Sequence, residues 1–542
     1  MPLDIPLRVA GNFMELRTDH YHSGVDLKTE GRQGLPVHAA AEGHVSRIKV
    51  GPWGYGLALY IDHPGGLTTV YGHLSRFAPN IAAYTLETQY RQRSFSIDVP
   101  VPSGALPVHA GEVVAFSGNT GGSSAPHLHF EVRRTSDQHA LDPQSYGLDL
   151  QDDIPPTIRG IRLYALDTSS RVSPYPGRAV GFPTEGGQGH YVLRPGEHPS
   201  ALGTIGIAVH AVDRYDGSAN ICGIRRLELR VNGAKWSEVR LDEVDFDKQR
   251  YVNARMDYAL FVGSDMHYHR LYDLPNDRSG LLSGTNAGKL QVGPGDTLNL
   301  TITATDAAGN ASTLSFVLTG ADRERSVGWT SMPWSSNALR WDREDQVTVP
   351  GFRMNIPAQA LYEDVPMRIV SRPGGERDLG SIFQVLDERT PLHRSAEVRF
   401  TRPELSGPLQ EKALVVRFDR KGHPTPEGGR FTDGDLMASV RRFGTYGIRI
   451  DTVPPKLVPL DLRPDMRGRD AIHFRVEDDL SGLDEWSATL DGKWILLTYD
   501  PKQRMLTHTF DNHSEGPGER MLRVEVTDER RNRTVLERRF TR

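Results

Sequence analysis

The chain has 542 residues, of which 37% are hydrophobic, a formal net charge of −5 and a single cysteine, Cys222. This length is too great for one hydrophobic core and predicts about three to five domains. The small net charge argues against nucleic-acid binding, and one cysteine excludes a disulfide framework and a cysteine-based zinc site. No run approaches about 18 apolar residues, so no transmembrane segment is predicted. Abundant Gly, Pro, Thr and Val, with few long segments of helical periodicity, predict an almost entirely β chain.

The first predicted elements carry three short histidine motifs. His22-Ser23-Gly24-Val25-Asp26 comes first, and Tyr71-Gly72-His73-Leu74 ends a strand-like run. His127-Leu128-His129 follows a turn-forming segment and begins a predicted strand. Side chains two residues apart on a strand point to the same face, so the two histidines of the third motif project together.

This spacing predicts a zinc site. Zinc favours imidazole nitrogen and carboxylate oxygen, and a catalytic zinc keeps three protein ligands and an open position for water. His22, Asp26 and one histidine of the third motif make such a set, and the other histidine is left beside the water. A lone His-x-His pair is more often structural in a chain with 20 histidines. The second such pair, His267-Tyr268-His269, has only Asp265 as an acidic neighbour, so a structural role is predicted there.

The three motifs, in this order, resemble those of the lysostaphin/LytM-type zinc endopeptidases, which hydrolyse bacterial peptidoglycan. Two segments between the motifs, Pro36 to Val45 and Gly111 to Gly121, resemble the family's connecting strands. The resemblance covers roughly residues 8–134. It implies an N-terminal open β-barrel or β-sandwich peptidase domain with Zn²⁺ as its cofactor.

Carried over residue by residue, the resemblance implies that His22, Asp26 and His129 bind the metal. His73 and His127 would be catalytic residues beside the open position. A neutral histidine can accept the proton of the attacking water, and a second imidazole can donate to the oxyanion. His127 is the favoured base and His73 the favoured oxyanion or leaving-group partner, although the sequence does not separate these roles. The implied substrate is a peptide cross-link or stem peptide of peptidoglycan.

Two alternatives to an active hydrolase stay open. A latent enzyme would have its metal position blocked, for which Asn12 and the segment from Ser75 to Pro107 are the candidates. A non-catalytic envelope scaffold would regulate other wall hydrolases, as some relatives do. The segment from Ser75 to Pro107 is longer than in the family; an extended hairpin on the barrel rim is favoured over a wall of the substrate groove. Met14 also stands where the family usually has glycine.

The resemblance implies a location in the periplasm or cell envelope of a bacterium. Met1-Pro2-Leu3-Asp4 runs almost directly into the first motif without the charged and apolar regions of a secretory signal. The expectation is therefore that the export signal is not part of this sequence.

The remainder of the chain contains an internal repeat. Short turn-forming motifs recur in the same order, and each includes a double proline, a hairpin signal or an aspartate–asparagine turn. The matched pairs are Asp152–Pro156 with Asp451–Pro455, Arg230–Trp236 with Leu490–Trp494, and Thr305–Asn310 with Thr527–Asn532. Two modules of one type are therefore predicted, and they resemble bacterial immunoglobulin-like or fibronectin-like sandwiches.

The predicted organisation has four parts: a peptidase domain at 1–150, an immunoglobulin-like module at 151–325 with an insertion near 240–292, a β-rich module of unassigned type at 326–450, and an immunoglobulin-like module at 451–542. The C-terminal modules are expected to space the enzyme from its anchor or to bind an envelope protein partner. The aspartates of the repeated turns are interpreted as solvated carboxylates, with calcium binding as the alternative.

Overall fold

The computed structural model describes residues 1–173, 178–321 and 337–542. The described residues confirm the prediction of an almost entirely β chain made of several β-sheet modules. The predicted boundary at 325/326 lies outside the described residues. Within these ranges, every helix is too short or too polar to cross a lipid bilayer.

The N-terminal region consists of a large antiparallel sheet, in the order β1-β2-β11-β6-β5-β4-β8, and a small sheet, β3-β10-β7. Its elements are β1 (Val9–Gly11), β2 (Val25–Lys28), β3 (Pro36–His38), β4 (Gly43–Val50), β5 (Leu57–His63), β6 (Leu67–Leu74), β7 (Arg76–Phe77), α1 (Pro79–Gln92), β8 (Ile97–Pro100), β9 (Pro107–Val108), β10 (Val113–Phe116), β11 (His127–Arg134) and β12 (Ala140–Leu141).

The position of β11 brings the distant motifs together. Strand β11 lies between β2 and β6, and its His129 is opposite Asp26 on one side and Gly72 on the other. Because directly opposed residues of an antiparallel pair have their side chains close together, the first and third motifs meet on one face of the sheet. The second motif ends β6 beside them.

The long segment after the second motif contains a helix, so the favoured expectation of an extended hairpin is wrong. Helix α1 begins with Pro79 at its first turn, a position where proline costs no hydrogen bond. Its buried side chains follow helical spacing; they are Ile81, Thr85, Thr88 and Gln89. The strand β8 that follows pairs with the edge strand β4.

The second region forms a large, mostly antiparallel sheet in which β17 pairs with β13, β14 and β25. Its elements are β13 (Thr157–Ala165), β14 (Arg171–Ser173), β15 (Ala179–Gly187), β16 (His190–Leu193), β17 (Ser200–Val212), β18 (Arg226–Val231), β19 (Ala234–Arg240), β20 (Glu243–Val244), α2 (Val252–Arg255), α3 (Tyr258–Ser264), β21 (Tyr268–Arg270), β22 (Leu282–Gly284), β23 (Leu290–Val292), β24 (Thr297–Thr305) and β25 (Ala311–Gly320).

The first two regions share one hydrophobic core. A single cluster of buried apolar side chains runs from Leu3 in the first region to Leu318 in the second. Strand β20, in the predicted insertion, pairs with β12 and so extends the N-terminal sheet. The insertion therefore joins the two regions.

The third region has two five-stranded sheets packed on a common core, β27-β28-β32-β36-β35 and β30-β31-β37-β33-β34. Its elements are β26 (Ala338–Leu339), β27 (Asp345–Val349), β28 (Phe352–Ile356), β29 (Val365–Pro366), β30 (Ile369–Pro373), β31 (Ser381–Val385), β32 (Pro391–Phe400), α4 (Gly407–Gln410), β33 (Ala413–Phe418), β34 (Pro424–Pro426), β35 (Arg430–Thr432), β36 (Asp435–Arg442) and β37 (Gly444–Ile450).

The last region has two four-stranded sheets on a further core, β38-β39-β43-β42 and β41-β40-β44-β45. Its strands are β38 (Lys456–Pro459), β39 (Ala471–Glu477), β40 (Leu483–Leu490), β41 (Lys493–Ile495), β42 (Thr498–Asp500), β43 (Met505–Thr509), β44 (Glu519–Asp528) and β45 (Arg533–Thr541).

Helix α1 contacts this last region directly. The Tyr90 hydroxyl donates to Asp511 at 2.6 Å, and the Tyr90 ring stacks on His513 with ring centroids 3.7 Å apart. Lys502 of the last region donates to the Asn119 backbone oxygen and, at 3.2 Å, to its side-chain oxygen. The long segment therefore attaches the last region beside the loop that precedes β11.

Candidate metal centre

Three donor atoms from His22, Asp26 and His129 converge at the meeting point of β2 and β11. His22 Nε2 lies 3.1 Å from Asp26 Oδ1 and 3.1 Å from His129 Nδ1. His129 Nδ1 lies 2.9 Å from the same Asp26 oxygen. Both histidines are buried, and the Asp26 side chain is 14% exposed. The arrangement supplies two imidazole nitrogens and one carboxylate oxygen to a single point.

The orientation of His22 is set by its second nitrogen. Nδ1 donates to the backbone oxygen of Asn12 at 2.7 Å, which leaves Nε2 facing Asp26. The Asn12 side chain is itself held by Gly223 of the second region, through hydrogen bonds of 2.9 Å and 2.7 Å to the glycine oxygen and nitrogen. The side-chain oxygen of Asn12 therefore accepts from Gly223 and is not directed at the donor atoms.

The orientation of His129 is set by Glu131, two residues along the same strand face. His129 Nε2 lies 2.7 Å from Glu131 Oε1, and Arg133 Nε donates to Glu131 Oε2 at 2.6 Å. Ser23 and Tyr55 also donate to Glu131 Oε1, at 2.7 Å and 2.5 Å. Burial opposes ionisation of this fully buried carboxyl, but Arg133 and His129 outweigh it and hold the pKa of Glu131 far below its usual range.

The carboxylates give the centre a strong preference for positive charge. Burial favours a neutral His129 ring, but hydrogen bonds to Asp26 and Glu131 outweigh it and raise the pKa of His129 to about 9. Burial likewise favours a neutral Asp26, yet the neighbouring His22, His127 and His129 hold its pKa well below the usual range. A divalent cation satisfies the same electrostatic demand.

His127 lies at the edge of the three donors. Its Nε2 is 3.3 Å from Asp26 Oδ1, and its Nδ1 faces the Ala125 backbone oxygen at 2.9 Å and the Ser123 hydroxyl at 3.1 Å. The side chain is 15% exposed, so this ring is accessible to a substrate.

His73 completes the group from the end of β6. Its ring centroid lies 4.7 Å from that of His127 and 5.9 Å from that of His129. Nδ1 donates to the Thr120 backbone oxygen at 2.8 Å. Burial, followed by repulsion from the two other imidazoles, lowers the pKa of His73 to about 3. The residue has φ of 59°, a left-handed conformation that is rare outside glycine and concentrates at functional sites.

The structure thus brings all five proposed site residues into one cluster and leaves the other histidines outside it. His20 is half exposed and pairs with Asp19. His267 and His269 lie in the second region, where both rings are buried and burial lowers both pKa values. These placements agree with the structural role predicted for the second His-x-His pair.

Sequence reasoning missed the supporting residues of the centre. Glu131 shares a strand face with His129, and this spacing alone could have identified it as a partner. Ser23 lies inside the first motif, but its contact with Glu131 depends on strand pairing. Tyr55 and Gly223 carry no local signal, since their contacts join segments that are far apart in the sequence.

Comparisons with known proteins agree with this geometry. Residues 20–85 match the sequence profile described as peptidase family M23. DD-carboxypeptidase/endopeptidase Mpg of Neisseria meningitidis serogroup B is 36% identical over 118 residues, which are 22% of this chain and 21% of that protein. An uncharacterized metalloprotease of Haemophilus influenzae is 34% identical over 110 residues, 20% of this chain and 18% of that protein. The chain therefore aligns with about a fifth of each relative's length.

Two further similarities concern a solved structure and the third region. A zinc-containing peptidase from Vibrio cholerae is 28% identical, with 26% of this chain and 37% of that chain covered and a TM-score of 0.19. Residues 336–451 match the profile of a Zu5-like domain, which falls on the module that the sequence analysis leaves unassigned.

The N-terminal fold brings together a nitrogen–oxygen–nitrogen donor set of the kind that metallopeptidases use. The match of residues 20–85 to peptidase family M23 supports the LytM/lysostaphin-type resemblance of the sequence motifs.

Proposed function

We propose that the chain is a zinc-dependent endopeptidase that hydrolyses peptide cross-links or stem peptides of bacterial peptidoglycan. The observation that carries this proposal is the convergence of His22 Nε2, Asp26 Oδ1 and His129 Nδ1, with pairwise distances of 2.9 to 3.1 Å. The family match and the similarity to Mpg support the class of reaction.

The donor set fits zinc. Zinc bonds to nitrogen and oxygen are about 2.0–2.2 Å, so tetrahedral ligands lie roughly 3.3 Å apart, close to the distances between these three atoms. Each histidine also has its second nitrogen hydrogen-bonded to an oxygen, of Asn12 or Glu131, as metal-binding histidines commonly do. When bound, zinc would lower the pKa of a water molecule and polarise the scissile carbonyl.

His127 is the residue we infer to accept the proton of the attacking water. Its Nδ1 faces the Ala125 carbonyl, so a neutral ring presents a free electron pair at Nε2 toward the donors. His73 is a poorer proton acceptor, because burial and the neighbouring rings oppose its protonation. With Nδ1 donating to Thr120, the neutral His73 offers an electron pair and no N–H at Nε2. This suits it to orient a water or an amide N–H, and it does not suit the oxyanion-donor role favoured from the sequence.

The geometry supports an active enzyme over the two alternatives. Asn12, a candidate blocking residue for a latent enzyme, has its side chain bonded to Gly223. The other candidate, the segment containing α1, contacts the last region through Tyr90. A regulatory scaffold has no need of three converging donors with two further imidazoles beside them. The natural site of action of such an enzyme is the bacterial cell envelope, where peptidoglycan lies.

The test combines zinc stoichiometry with digestion of purified sacculi and mass analysis of the released muropeptides. We expect the full chain to bind one zinc at this centre and to release peptide-cleaved products. His22→Ala should lose the zinc and the products, whereas His127→Ala should keep the zinc and lose the products. His20→Ala is the matched control, since the His20 side chain is exposed and pairs with Asp19, and it should behave as wild type.

Two outcomes would contradict the proposal. A full chain that holds one zinc but releases no product would be a latent enzyme. A full chain that binds no zinc would be a scaffold.

A further inference from the structure

Each of the two predicted repeat modules contains a cluster of three aspartates. In each cluster, one carboxylate oxygen of each aspartate lies within 4.8 Å of those of the other two. The clusters are Asp152, Asp213 and Asp306 in the second region, and Asp451, Asp478 and Asp528 in the last region. We call them the first and second aspartate clusters.

In the first cluster, the repeated turn motif holds two of the aspartates together. The Asn310 side chain donates to Asp306 Oδ2 and to the Asp152 backbone oxygen, both at 3.0 Å. The backbone amides of Gly309 and Asn310 donate to Asp306 Oδ1 at 2.7 Å and 2.9 Å. Asp213 directly follows β17 and faces this pair.

The second cluster repeats this arrangement. The Asn532 side chain donates to Asp528 Oδ2 at 2.8 Å and to the Asp451 backbone oxygen at 3.0 Å. Asp478 directly follows β39, as Asp213 follows β17. The internal repeat of the sequence is therefore a repeat of one local structure.

The first cluster is buried. Asp152, Asp213 and Asp306 are 8%, 2% and 1% exposed. The interpretation of the turn aspartates as solvated carboxylates is therefore wrong for this cluster, and it is also wrong for Asp451 and Asp528 of the second cluster, which are 2% and 0% exposed.

Three oxygen atoms of the first cluster have no hydrogen-bond partner among the residues that the structure describes. Within the described part of the chain, both carboxylate oxygens of Asp213 and Oδ2 of Asp152 accept no hydrogen bond of normal geometry. A buried polar group without a partner is costly, and a buried charge without one is more so. Burial, followed by repulsion from Asp306 and Asp152, raises the pKa of Asp213 to about 8, and burial raises that of Asp152 to about 7. When the three carboxyls are ionised, a bound cation is therefore needed to offset the repulsion between their negative charges.

We propose that Asp152, Asp213 and Asp306 form a calcium site. Oxygen-only donors select hard cations, and calcium accepts irregular sets of carboxylate oxygens with backbone oxygens and water. Magnesium demands near-octahedral geometry and usually keeps several waters, so it suits three converging carboxylates less well.

The second cluster is a weaker version of the same site. The amides of Leu480 and Gly482 donate to Asp478 Oδ2 at 3.1 Å and 2.7 Å, and the amide of Ser481 donates to Asp451 Oδ2 at 3.0 Å. Only one carboxylate oxygen of this cluster, Asp478 Oδ1, is buried without a partner among the described residues. Backbone amides thus offset part of the negative charge of these carboxylates, which in the first cluster a cation would offset.

Asp213 of the first cluster begins the loop that supports the candidate metal centre. The backbones of Asp213 and Cys222 exchange two hydrogen bonds of 2.9 Å. The next residue, Gly223, holds the Asn12 side chain, and the Asn12 carbonyl orients His22. A cation on Asp213 fixes one end of this chain of contacts.

The test uses the full chain, stripped over a chelating resin and reloaded with one equivalent of zinc. Calcium binding is measured by equilibrium dialysis, and the melting temperature is followed with and without calcium. Wild type should bind one calcium tightly and a second more weakly. At about 100 times the dissociation constant, calcium should raise the melting temperature by roughly 5 °C or more.

Asp213→Asn should lose the tight calcium and the calcium-dependent rise. Without calcium it should melt at or above the wild-type temperature, because the substitution removes the repulsion between buried carboxylates; a misfolded variant would melt lower. Asp478→Asn is the matched control and should keep the tight calcium.

Four outcomes would overturn the proposal. The first is a wild-type chain that binds no calcium, and the second is Asp213→Asn binding it as wild type does. The third is an Asp213→Asn variant that melts above wild type by the same amount with and without calcium. The wild-type carboxyls would then be held together by shared protons and not by calcium. Stabilisation by magnesium equal to that by calcium would overturn the assignment of the ion.

Discussion

His22 donates its Nδ1–H to the backbone oxygen of Asn12 at 2.7 Å, and this bond directs its other nitrogen to Asp26. Asn12 in turn is held by Gly223, which lies 211 residues further along the chain. A residue of the second region thus takes part in positioning a proposed metal ligand.

Asn12→Ala tests this connection. The substitution removes both hydrogen bonds to Gly223 and keeps the carbonyl that accepts from His22. We expect about a tenfold loss of zinc affinity, because partners that orient metal-binding histidines commonly contribute about 10–100-fold. Chelator competition measures the affinity. Asn355→Ala, a partly exposed asparagine of the third region, is the control. Unchanged zinc affinity in Asn12→Ala would show that Gly223 does not support the centre.

Glu131→Gln tests the buried network behind His129. Glutamine keeps the shape but leaves the buried Arg133 guanidinium without its charged partner. We expect the free energy of unfolding to fall by about 3 kcal/mol and zinc affinity to fall by about tenfold or more. Glu537→Gln, whose partner Arg523 lies on the surface, should change stability by less than about 1 kcal/mol. Denaturant unfolding measures the loss in the free energy of unfolding for each variant. Equal losses in Glu131→Gln and Glu537→Gln would contradict the role assigned to Glu131.

Acid should destabilise the second region through His210 and His269. Burial lowers the pKa of His210 to about 4 and that of His269 to about 3. Unfolding restores ordinary values near 6.5, so the unfolded chain binds these protons first as the pH falls. The stability they contribute is present above about pH 6.5 and is lost as the pH falls toward 4.

Denaturant unfolding between pH 7 and 4.5 measures this loss. The measured quantity is the slope of the free energy of unfolding against pH. His210→Phe should reduce this slope by up to about 1.4 kcal/mol per pH unit, because phenylalanine cannot take up a proton. In wild type, Nε2 of His210 is buried without a partner among the described residues. Asn355→Ala, which changes no titratable group, is the control and should leave this slope unchanged. A His210→Phe slope equal to that of wild type would exclude this histidine as a source of acid sensitivity.

Tyr90 should control the attachment of the last region. Tyr90→Ala removes the hydroxyl, which donates to Asp511 and accepts from the Leu496 amide, together with the stacking on His513. Tyr90→Phe removes only these two hydrogen bonds. We expect backbone amides of residues 490–513 to exchange hydrogen faster in Tyr90→Ala, with a smaller effect in Tyr90→Phe. Hydrogen exchange measured by mass spectrometry reports both. Identical protection in wild type and Tyr90→Ala would mean that other contacts attach the region.

The position of the candidate metal centre could be predicted because each motif is local, and only the family resemblance selects His129 over His127 as the third ligand. Strand alternation places His127 and His129 on one face, and the donor chemistry selects His22 and Asp26. Met14 stands where the family usually has glycine, and its φ of 61° shows that this turn does use the left-handed conformation. Methionine tolerates it here because its side chain is fully buried in the core.

Other features could not be predicted because they depend on contacts between distant segments. The buried positions of helix α1 follow helical spacing, but the resemblance to the family favours a hairpin in this segment. The turn motifs that contain the aspartates have the composition of exposed loops. Their burial results from the packing of Asp152, Asp213 and Asp306 against one another, and these residues are far apart in the sequence. The contact of Asn12 with Gly223 likewise requires knowing how two regions pack.

The pairing of Ala140–Leu141 with Glu243–Val244 affects how this protein can be engineered. A cut near residue 150 would leave an unpaired strand edge and divide the apolar interior that the first two regions have in common. The smallest unit that keeps the candidate metal centre and this shared core should therefore extend through β25, to about residue 320. A fusion protein that contains only residues 1–150 would expose this strand edge and would be prone to aggregation.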